Sequence, residues 1–233
     1  MAAGAGRATG LEAVQPALPA FFQQVFACTP EVAAVIARRA ADRSYAAGTP
    51  ILHQGDETGE TFLLVLGRAH ALIYGRDGQM ALLREFAPGD IFGAVAETRP
   101  GLEEADIVAV EAARAAAFLA FDFVALLEVH SCLGLAVSRM LLKQLRAATG
   151  RFMERATLSA QGRVYAELLR LARLGDGRRL RPAPVLAALA VRVQTTRETA
   201  SRAVGVLERR GVLRREGDAW VIVAPHRLEE MVV

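Results

Sequence analysis

The sequence has few cysteines, almost no lysine and no long hydrophobic run. Its 233 residues include two cysteines, Cys28 and Cys132, too few for the disulfide framework of a secreted scaffold. Two cysteines also fall short of the roughly four thiolates that an iron–sulfur cluster requires. No run of about 18 apolar residues occurs, which argues against a transmembrane helix although 53% of the residues are hydrophobic.

The N-terminal stretch lacks the features of a targeting signal. Residues 1–20 contain no basic cluster followed by an apolar segment, so we expect a flexible arm rather than a signal peptide. With the low cysteine content, this predicts a cytoplasmic protein without a membrane partner. Lys143 is the only lysine, so arginine carries almost all of the positive charge.

Charge is divided unevenly along the chain. Residues 160–233 contain 14 arginines and 8 acidic residues, a net charge of +6, whereas residues 1–159 have a net charge of −3. A basic rear half behind a mildly acidic front half indicates two domains. The rear domain is expected to face a polyanion such as DNA.

Residues 45–120 have the pattern of an antiparallel β-structure. Short apolar runs alternate with glycines, and short strands at regular spacing with turn signals predict a sandwich or a barrel. Within this stretch, Asp77-Gly78 is typical of a hairpin turn. Ahead of it, Thr29-Pro30 is a helix-start signal, because a hydroxyl can cap the helix and proline suits its first position.

A long helix is predicted over residues 121–156. Apolar or small residues recur on it at alternating spacings of four and three, in two seams. We expect one seam to pack on its own domain and the other on a partner helix, which predicts a homodimer; a helix buried in one core is the alternative. The predicted dimerisation residues are Leu133, Val137, Met140, Leu141, Gln144, Leu145 and Ala148.

The rear half has the element order of a winged helix-turn-helix. Ser159 can cap a helix whose apolar residues recur at helical spacing, and residues 185–193 form a short apolar helix. A second amphipathic helix follows and ends at Gly211, which suits the left-handed position after a helix. Two apolar segments then flank Glu216-Gly217-Asp218, which predicts a tight hairpin as the wing.

The second of these helices has its long polar side chains on one face. At about 100° per residue they fall within about 140° of one another, and alanine, valine and leucine occupy the other side. Arginine can donate two hydrogen bonds to guanine, and glutamate can accept one from cytosine. The alternative is a solvated face on which Glu198 closes a capping box with Thr195. The predicted DNA-binding residues are Thr196, Arg197, Glu198, Ser201, Arg202 and Arg209.

The order of the predicted elements and three local motifs resemble the family of the cyclic AMP receptor protein and the fumarate–nitrate reductase regulator (the CRP/FNR family). Residues 196–202, TRETASR, resemble its recognition helix. Residues 88–93, PGDIFG, resemble a segment of its β-roll, and Arg163 lies where the family has a glycine–arginine pair. The resemblance covers roughly residues 21–225.

The resemblance implies an α+β fold with an antiparallel β-roll (jelly-roll) sensor domain over 21–120, a dimerisation helix and hinge over 121–158, and a winged helix-turn-helix over 159–233. It implies a bacterial transcription regulator that binds an inverted-repeat operator in double-stranded DNA as a homodimer. RNA polymerase is a further candidate partner. TGTGA-like and TTGAT-like half-sites are both compatible with the recognition helix.

The sequence departs from the family in two places in the rear domain. Gln194 occupies the turn where the family commonly has glycine, and the first helix of the motif opens on Val185 rather than on serine or threonine. We expect the fold to tolerate both changes.

The larger departure is in the sensor. Cyclic-nucleotide binders of the family have a glutamate after the phenylalanine–glycine pair and a later arginine that holds the phosphate; here these positions are Ala94 and Glu103-Glu104. Because carboxylates repel a phosphate, we expect that cyclic AMP is not the effector. The candidate residues of this degenerate pocket are Gly93, Ala94, Arg99, Glu103, Glu104 and Thr149.

The identity of the effector is left open. Haem, with His53, His70 or His130 as axial ligand, and a thiol switch at Cys28 or Cys132 are alternatives. The remaining possibilities are an unidentified apolar effector and no effector at all. The alternative function is a cyclic-nucleotide or haem/redox-responsive regulator, or a sensor or scaffold that does not read DNA. The sequence has no metal-ligand cluster, G-x-S-x-G motif or phosphate-binding glycine loop, so we expect no enzyme.

Overall fold

A computed structural model describes three stretches of the chain, residues 16–74, 80–95 and 101–232. Most of the predicted N-terminal arm, the predicted Asp77-Gly78 turn and the candidate residue Arg99 lie outside these stretches. The described residues form a mixed α+β structure, as predicted.

The chain divides into two compact units. The first unit comprises residues through Ala69 together with Phe86–Met140, and the second comprises His70–Glu85 together with Leu141–Val233. Each has its own buried apolar cluster, in which aromatic and aliphatic side chains are almost completely withdrawn from solvent.

Two helices precede the first strand, α1 (Leu18–Phe26) and α2 (Pro30–Arg39). Thr29 caps α2 as predicted, since its hydroxyl accepts from the backbone N–H of Val32 at 3.5 Å and Pro30 occupies the first turn. The buried side chains of α1, Phe21, Phe22 and Phe26, contribute much of the first unit's core.

The next part of the chain is made of strands, and the pairs within the first unit are antiparallel, as predicted. Their bounds are β1 (Ala41–Tyr45), β2 (Pro50–Leu52), β3 (Glu57–Thr58), β4 (Glu60–Leu66), β5 (Ala69–Tyr74), β6 (Met80–Phe86), β7 (Ile91–Gly93), β8 (Gly101–Leu102), β9 (Asp106–Ala109) and β10 (Ala113–Leu119).

The order of the strands determines which side chains meet in the core of the first unit. One sheet has the order β1-β10-β4-β7, while β2 pairs with β9 and β3 pairs with β8. Alternate residues of β4 and β10 face the core, where Phe118 lies 5.9 Å from Phe22 and 5.2 Å from Phe123 between ring centroids. Such ring pairs add roughly 1 kcal/mol each beyond the area they bury.

The predicted helix over 121–156 is interrupted. It is two helices, α3 (Ala120–Val129) and α4 (Ser131–Thr157), because His130 between them has extended backbone angles, φ −113° and ψ 98°. The prediction of one continuous helix was therefore wrong. No proline or glycine marks the break in the sequence.

The rear part of the second unit is the predicted winged helix-turn-helix. Ser159 caps its first helix, accepting from the N–H of Gly162 at 3.0 Å. A third strand joins the wing in the order β11-β13-β12, and neither this strand nor the last helix was predicted. The elements are α5 (Ala160–Arg173), β11 (Arg179–Leu180), α6 (Leu186–Arg192), α7 (Arg197–Arg209), β12 (Leu213–Glu216), β13 (Ala219–Ile222) and α8 (Pro225–Glu230).

Candidate nucleic-acid interface

Two neighbouring threonines, Thr195 and Thr196, precede α7, and either hydroxyl could cap the helix. The Thr196 hydroxyl accepts from the backbone N–H of Thr199 at 3.2 Å, so Thr196 rather than Thr195 is the N-cap. Glu198 is then one residue too early for a capping box. Hydrogen bonds from its own backbone N–H and from Thr196 lower the pKa of Glu198, which is therefore a carboxylate at neutral pH.

The two faces of α7 divide as the sequence predicts. The buried face consists of Ala200, Ala203, Val204 and Leu207, which pack in the core of the second unit. The exposed face carries all six predicted DNA-binding residues, Thr196, Arg197, Glu198, Ser201, Arg202 and Arg209. The helix ends as expected, because Gly211 has a φ of +67°.

The arginines of the exposed face are available to a ligand. Arg197 and Arg209 form no ion pair with any residue that the structure describes, and Arg202 only donates to the Thr199 hydroxyl at 3.3 Å. In contrast, Glu208 at the rear of the helix is neutralised by Arg215, with nitrogen and oxygen 2.5 Å apart. The face therefore presents a net positive charge in spite of Glu198.

Arg163 holds the turn between α6 and α7. Its guanidinium donates to three backbone carbonyl oxygens, of Val193 at 3.0 Å, of Leu158 at 3.1 Å and of Gln194 at 3.4 Å. Gln194 has a φ of +50°, the left-handed region in which glycine is favoured. The family-like Arg163 thus supports a turn that this chain builds without the usual glycine.

The wing adds cations that the sequence analysis did not single out. Arg215 lies over the ring of Trp220, 5.5 Å from its centroid, and Arg181 pairs with Asp218 at 2.8 Å. Arg215 also pairs with Glu208 of α7 and so connects the hairpin with that helix, although exposed ion pairs of this kind are individually weak. The consecutive arginines at 214 and 215, just ahead of the predicted turn, were the available signal.

Two of the predicted sensor residues, Gly93 and Ala94, pack closely against β4. Gly93 has a φ of +81°, and a Cβ there would lie 2.5 Å from the Glu60 carbonyl oxygen, so glycine is required. Ala94 is buried, and its carbonyl oxygen accepts from the Thr61 hydroxyl at 2.8 Å. Both residues of this segment are thus fixed by β4.

The remaining sensor candidates lie in an acidic or exposed setting. The N–H of Glu103 donates to the Asp56 carbonyl oxygen at 3.0 Å, while Glu104 and Thr149 are exposed. Since Glu57 follows Asp56 and pairs with Leu102, this end of β3 and β8 carries several carboxylates close together. Such a setting is unfavourable for a phosphate.

The candidate haem and thiol residues already have protein contacts. His70 lies 3.1 Å from a carboxylate oxygen of Glu85, and His53 lies 3.9 Å from Asp106. His130 is the residue that follows α3, and its backbone N–H donates to the Leu126 carbonyl oxygen. Burial and the neighbouring Cys132 raise the pKa of the Cys28 thiol, so its thiolate is disfavoured. The described residues include no group of three or more metal-binding side chains.

The two seams of the long helix differ in exposure. Leu133 and Val137 are buried in the core of the first unit, and Met140 packs against that core. Leu141 is 42% exposed and Leu145 63% exposed. Phe152, in the same seam as Leu141 and Leu145, is 68% exposed, and Ala148 of that seam is also exposed. Gln144, which belongs to the seam of Leu133 and Val137, is half-buried.

No single helix in the described part of the chain is long and apolar enough to cross a bilayer. Two bent helix pairs, α1 with α2 and α3 with α4, would qualify by length and composition alone.

Comparison with known proteins identifies both halves of the chain. The family "Cyclic nucleotide-binding domain" matches residues 42–130, and the family "Crp-like helix-turn-helix domain" matches residues 162–231. A protein named cyclic AMP receptor protein from Thermus thermophilus is 32% identical over 179 residues, which cover 74% of this chain and 79% of that protein.

Solved structures show the same fold. FixK2 from Bradyrhizobium japonicum superposes with a TM-score of 0.68 at 20% identity, covering 82% of this chain and 96% of that one. A CooA variant from Carboxydothermus hydrogenoformans superposes with a TM-score of 0.74 at 17% identity, covering 86% and 90%. With its cyclic-nucleotide-binding-like domain and its DNA-binding helix-turn-helix, the chain belongs to the CRP/FNR family of transcription regulators.

Proposed function

We propose that this regulator binds an inverted-repeat operator as a homodimer, with the exposed face of α7 in the major groove. The observation that carries the proposal is the composition of that face. Arg197 and Arg202 are exposed and can reach base edges, and Glu198 is an ionised acceptor between them. A carboxylate on a DNA-facing surface repels phosphates, so its presence favours base recognition over simple charge attraction.

The exposed seam of α4 supports the homodimer. Leu141, Leu145 and Phe152 recur at coiled-coil spacing and remain in solvent in the single chain. Burying each such side chain against a partner helix would contribute roughly 1.5–3 kcal/mol. A two-fold axis along this seam would place two copies of α7 on symmetric half-sites, which is the geometry that an inverted repeat requires.

We further propose that the sensor has lost the usual contacts to cyclic AMP. Members of the family bind small-molecule effectors, and the Thermus relative is named for cyclic AMP. In this chain Ala94 offers no carboxylate to a ribose. Glu103, whose backbone N–H donates to the Asp56 carbonyl oxygen, brings a carboxylate to the position where cyclic-nucleotide binders of the family have a phosphate-binding arginine. Calorimetric titration with cyclic AMP should detect no binding; saturable binding would contradict this part of the proposal.

A cytoplasmic location and contact with RNA polymerase are part of the same proposal, because an operator-binding regulator acts where its DNA and its polymerase are. Neither an enzymatic activity nor a purely structural scaffold role is favoured by any contact described above.

Selection from a random duplex pool with purified protein and no added ligand tests operator binding. We expect enrichment of a two-fold symmetric site. A variant with Arg202→Ala should lose enrichment at one base pair of each half-site, whereas Arg227→Ala, which removes an exposed arginine of α8, should leave the enriched sequence unchanged. Enrichment of asymmetric or unrelated sequences would overturn the proposal. If no sequence is enriched, the selection is repeated with cell extract, and failure there as well would overturn it.

A further inference from the structure

The two cysteines of the chain both lie at sharp corners between consecutive helices. Cys28 lies between α1 and α2, where the chain bends by 118°. Cys132 is the second residue of α4, directly after a bend of 114° between α3 and α4. Both corners belong to the first unit, and both cysteines are free and half-buried.

The core of the first unit brings the two corners together. Cys28 packs against this core, and Leu133, which follows Cys132 in the chain, is completely buried in it. Phe22 and Phe26 of α1 belong to the same cluster. Beside it, the Cys28 and Cys132 side chains are close enough to share a hydrogen bond. Two thiols from distant parts of the sequence are therefore neighbours in space.

The position of the Cys28 sulfur is fixed by its surroundings. Ala27 ends α1 in the left-handed conformation, with φ 48° and ψ 44°, and Thr29 caps α2. The Cys28 thiol itself donates to the Phe22 carbonyl oxygen, with 3.7 Å between sulfur and oxygen. A disulfide requires α-carbons roughly 4.4–6.8 Å apart, and two short side chains in contact bring their backbones close to that separation.

The two thiols differ in their electrostatic surroundings. Burial, and then the charge of Cys132, raises the pKa of Cys28, which therefore remains a thiol at neutral pH. Cys132 lies in the first turn of α4. Backbone N–H groups there have no partner within the helix, and their partial positive charge favours an anion.

We propose that Cys28 and Cys132 are an oxidation site at which a peroxide produces a reversible disulfide bond within one chain. Both cysteines are half-buried, so a small oxidant can reach them. A second thiol beside the first captures a sulfenic acid as a disulfide before it is oxidised further. The bond would link the corner between α1 and α2 to the first turn of α4.

The reaction consumes one hydrogen peroxide for each disulfide. The Cys132 thiolate, having lost its proton to water, attacks one peroxide oxygen. The S–O bond forms, the O–O bond breaks, and the departing hydroxide takes up a proton to become water. The Cys28 sulfur then loses its proton and attacks the sulfenic sulfur, so the S–S bond forms and the S–O bond breaks, releasing a second water. Two thiols lose two electrons in total, and the peroxide gains them.

Treatment of the full-length protein with hydrogen peroxide tests the site. Remaining thiols are alkylated, and the protein is digested with trypsin without reductant and analysed by mass spectrometry. Cleavage after arginine leaves the two cysteines on fragments 8–38 and 115–139. We expect these fragments to be cross-linked in protein that migrates as a single chain in non-reducing electrophoresis, and dithiothreitol to separate them. Sulfenic or sulfinic acid without a cross-link, or a cross-link only between two chains, would overturn the proposal.

A glutathione buffer measures how closely the fold holds the two thiols. The equilibrium ratio of cross-linked to reduced protein depends on their effective concentration. We expect this ratio to be higher by about tenfold or more in the folded protein than in urea, which keeps both cysteines but removes the fold. Equal ratios with and without urea would contradict the proposal.

A rearranged pair of cysteines provides the matched control. Cys132→Ser combined with Ser138→Cys keeps two thiols, but the exposed position 138 lies about 9 Å further along α4 and on another side of the helix. With a circular dichroism spectrum like that of the wild type, this variant should form no cross-link within one chain; a cross-link as abundant as that of the wild type would contradict the assigned pair. These measurements require neither DNA nor a dimer, so their outcome is independent of the operator selection.

Discussion

The Arg163 guanidinium donates to the Val193 carbonyl oxygen at 3.0 Å and so connects α5 with the turn that precedes the DNA-facing helix. Replacing Arg163 by methionine keeps an unbranched apolar stem but removes the guanidinium and with it all three hydrogen bonds to backbone carbonyl oxygens. Hydrogen bonds from charged donors contribute roughly 1.5–3 kcal/mol each, partly offset by solvation. We expect Arg163→Met to lower the free energy of unfolding by about 2–3 kcal/mol in urea denaturation. The matched variant Arg173→Met should change it by less than about 1 kcal/mol; equal losses in the two variants would contradict this role.

Arg202 is predicted to read a base. We expect Arg202→Ala to weaken specific operator binding by roughly 1–3 kcal/mol and to relax selectivity at one base pair, because a bidentate contact is lost. Fluorescence anisotropy with the selected operator and with a scrambled duplex measures both effects. Equal losses on the two duplexes would show that Arg202 contacts only the phosphate backbone.

Leu145 is predicted to lie at the centre of the dimer contact. We expect Leu145→Glu to convert the dimer to a monomer in sedimentation equilibrium, because two carboxylates would face each other across the two-fold axis. Val129→Glu is the control, since Val129 is 74% exposed but lies on α3. A variant at Leu145 that remains dimeric would exclude this seam as the interface.

Gly150 is predicted to weaken α4. Glycine in a helix interior is about 1 kcal/mol less favourable than alanine, and a Cβ at this position meets no atom within 4 Å. We therefore expect Gly150→Ala to raise the free energy of unfolding by up to about 1 kcal/mol. The contrasting variant Gly93→Ala should destabilise the protein, because its Cβ would lie 2.5 Å from a backbone oxygen. A loss of stability in Gly150→Ala would reveal a need for flexibility at that point.

Glu85 gives the second unit a dependence on pH. Burial raises the pKa of Glu85, but the hydrogen bond from His70 and the charge of Arg192 outweigh it and lower the pKa to about 2. Because the folded value lies below the ordinary 4.5, Glu85 contributes stability that is present above that pH and is lost as pH falls toward 2.

Urea unfolding of the wild type and of Glu85→Gln at pH 7 and pH 3 would test this dependence. At pH 7 we expect the wild type to have a larger free energy of unfolding than Glu85→Gln. At pH 3 we expect this difference in free energy to be smaller. Subtracting the free energy of unfolding of Glu85→Gln from that of the wild type cancels the contribution of the carboxylates that titrate in both proteins. A difference that stays constant between the two pH values would assign the effect of Glu85→Gln to packing instead.

Sequence patterns predicted those elements whose signals are local. Thr29, Ser159 and Gly211 mark helix ends by their own hydrogen-bonding or backbone preferences, and the structure confirms all three. The exposed and buried faces of α7 follow from helical periodicity alone. The same holds for the wing, where Gly217 forms the turn with a φ of +58°.

What the sequence could not show depends on residues far apart in the chain. The break at His130 has no proline or glycine signal, and the third strand of the wing is only two residues long. The network that joins Glu85 to Glu167 and Arg192 spans more than 100 positions, and charge periodicity on a single helix carries no information about it. The contacts of Arg163 with three backbone carbonyl oxygens likewise became visible only once its neighbours were placed.

The left-handed backbone conformation at Gln194 bears on the evolution of the recognition helix. A residue with a Cβ in that conformation costs about 1 kcal/mol relative to glycine. Because Gln194 lies in the turn and outside the exposed face of α7, Gln194→Gly could recover that amount without altering any predicted base contact. A lineage that acquired glycine there would gain tolerance for substitutions in its recognition helix, and with it access to new operator sequences.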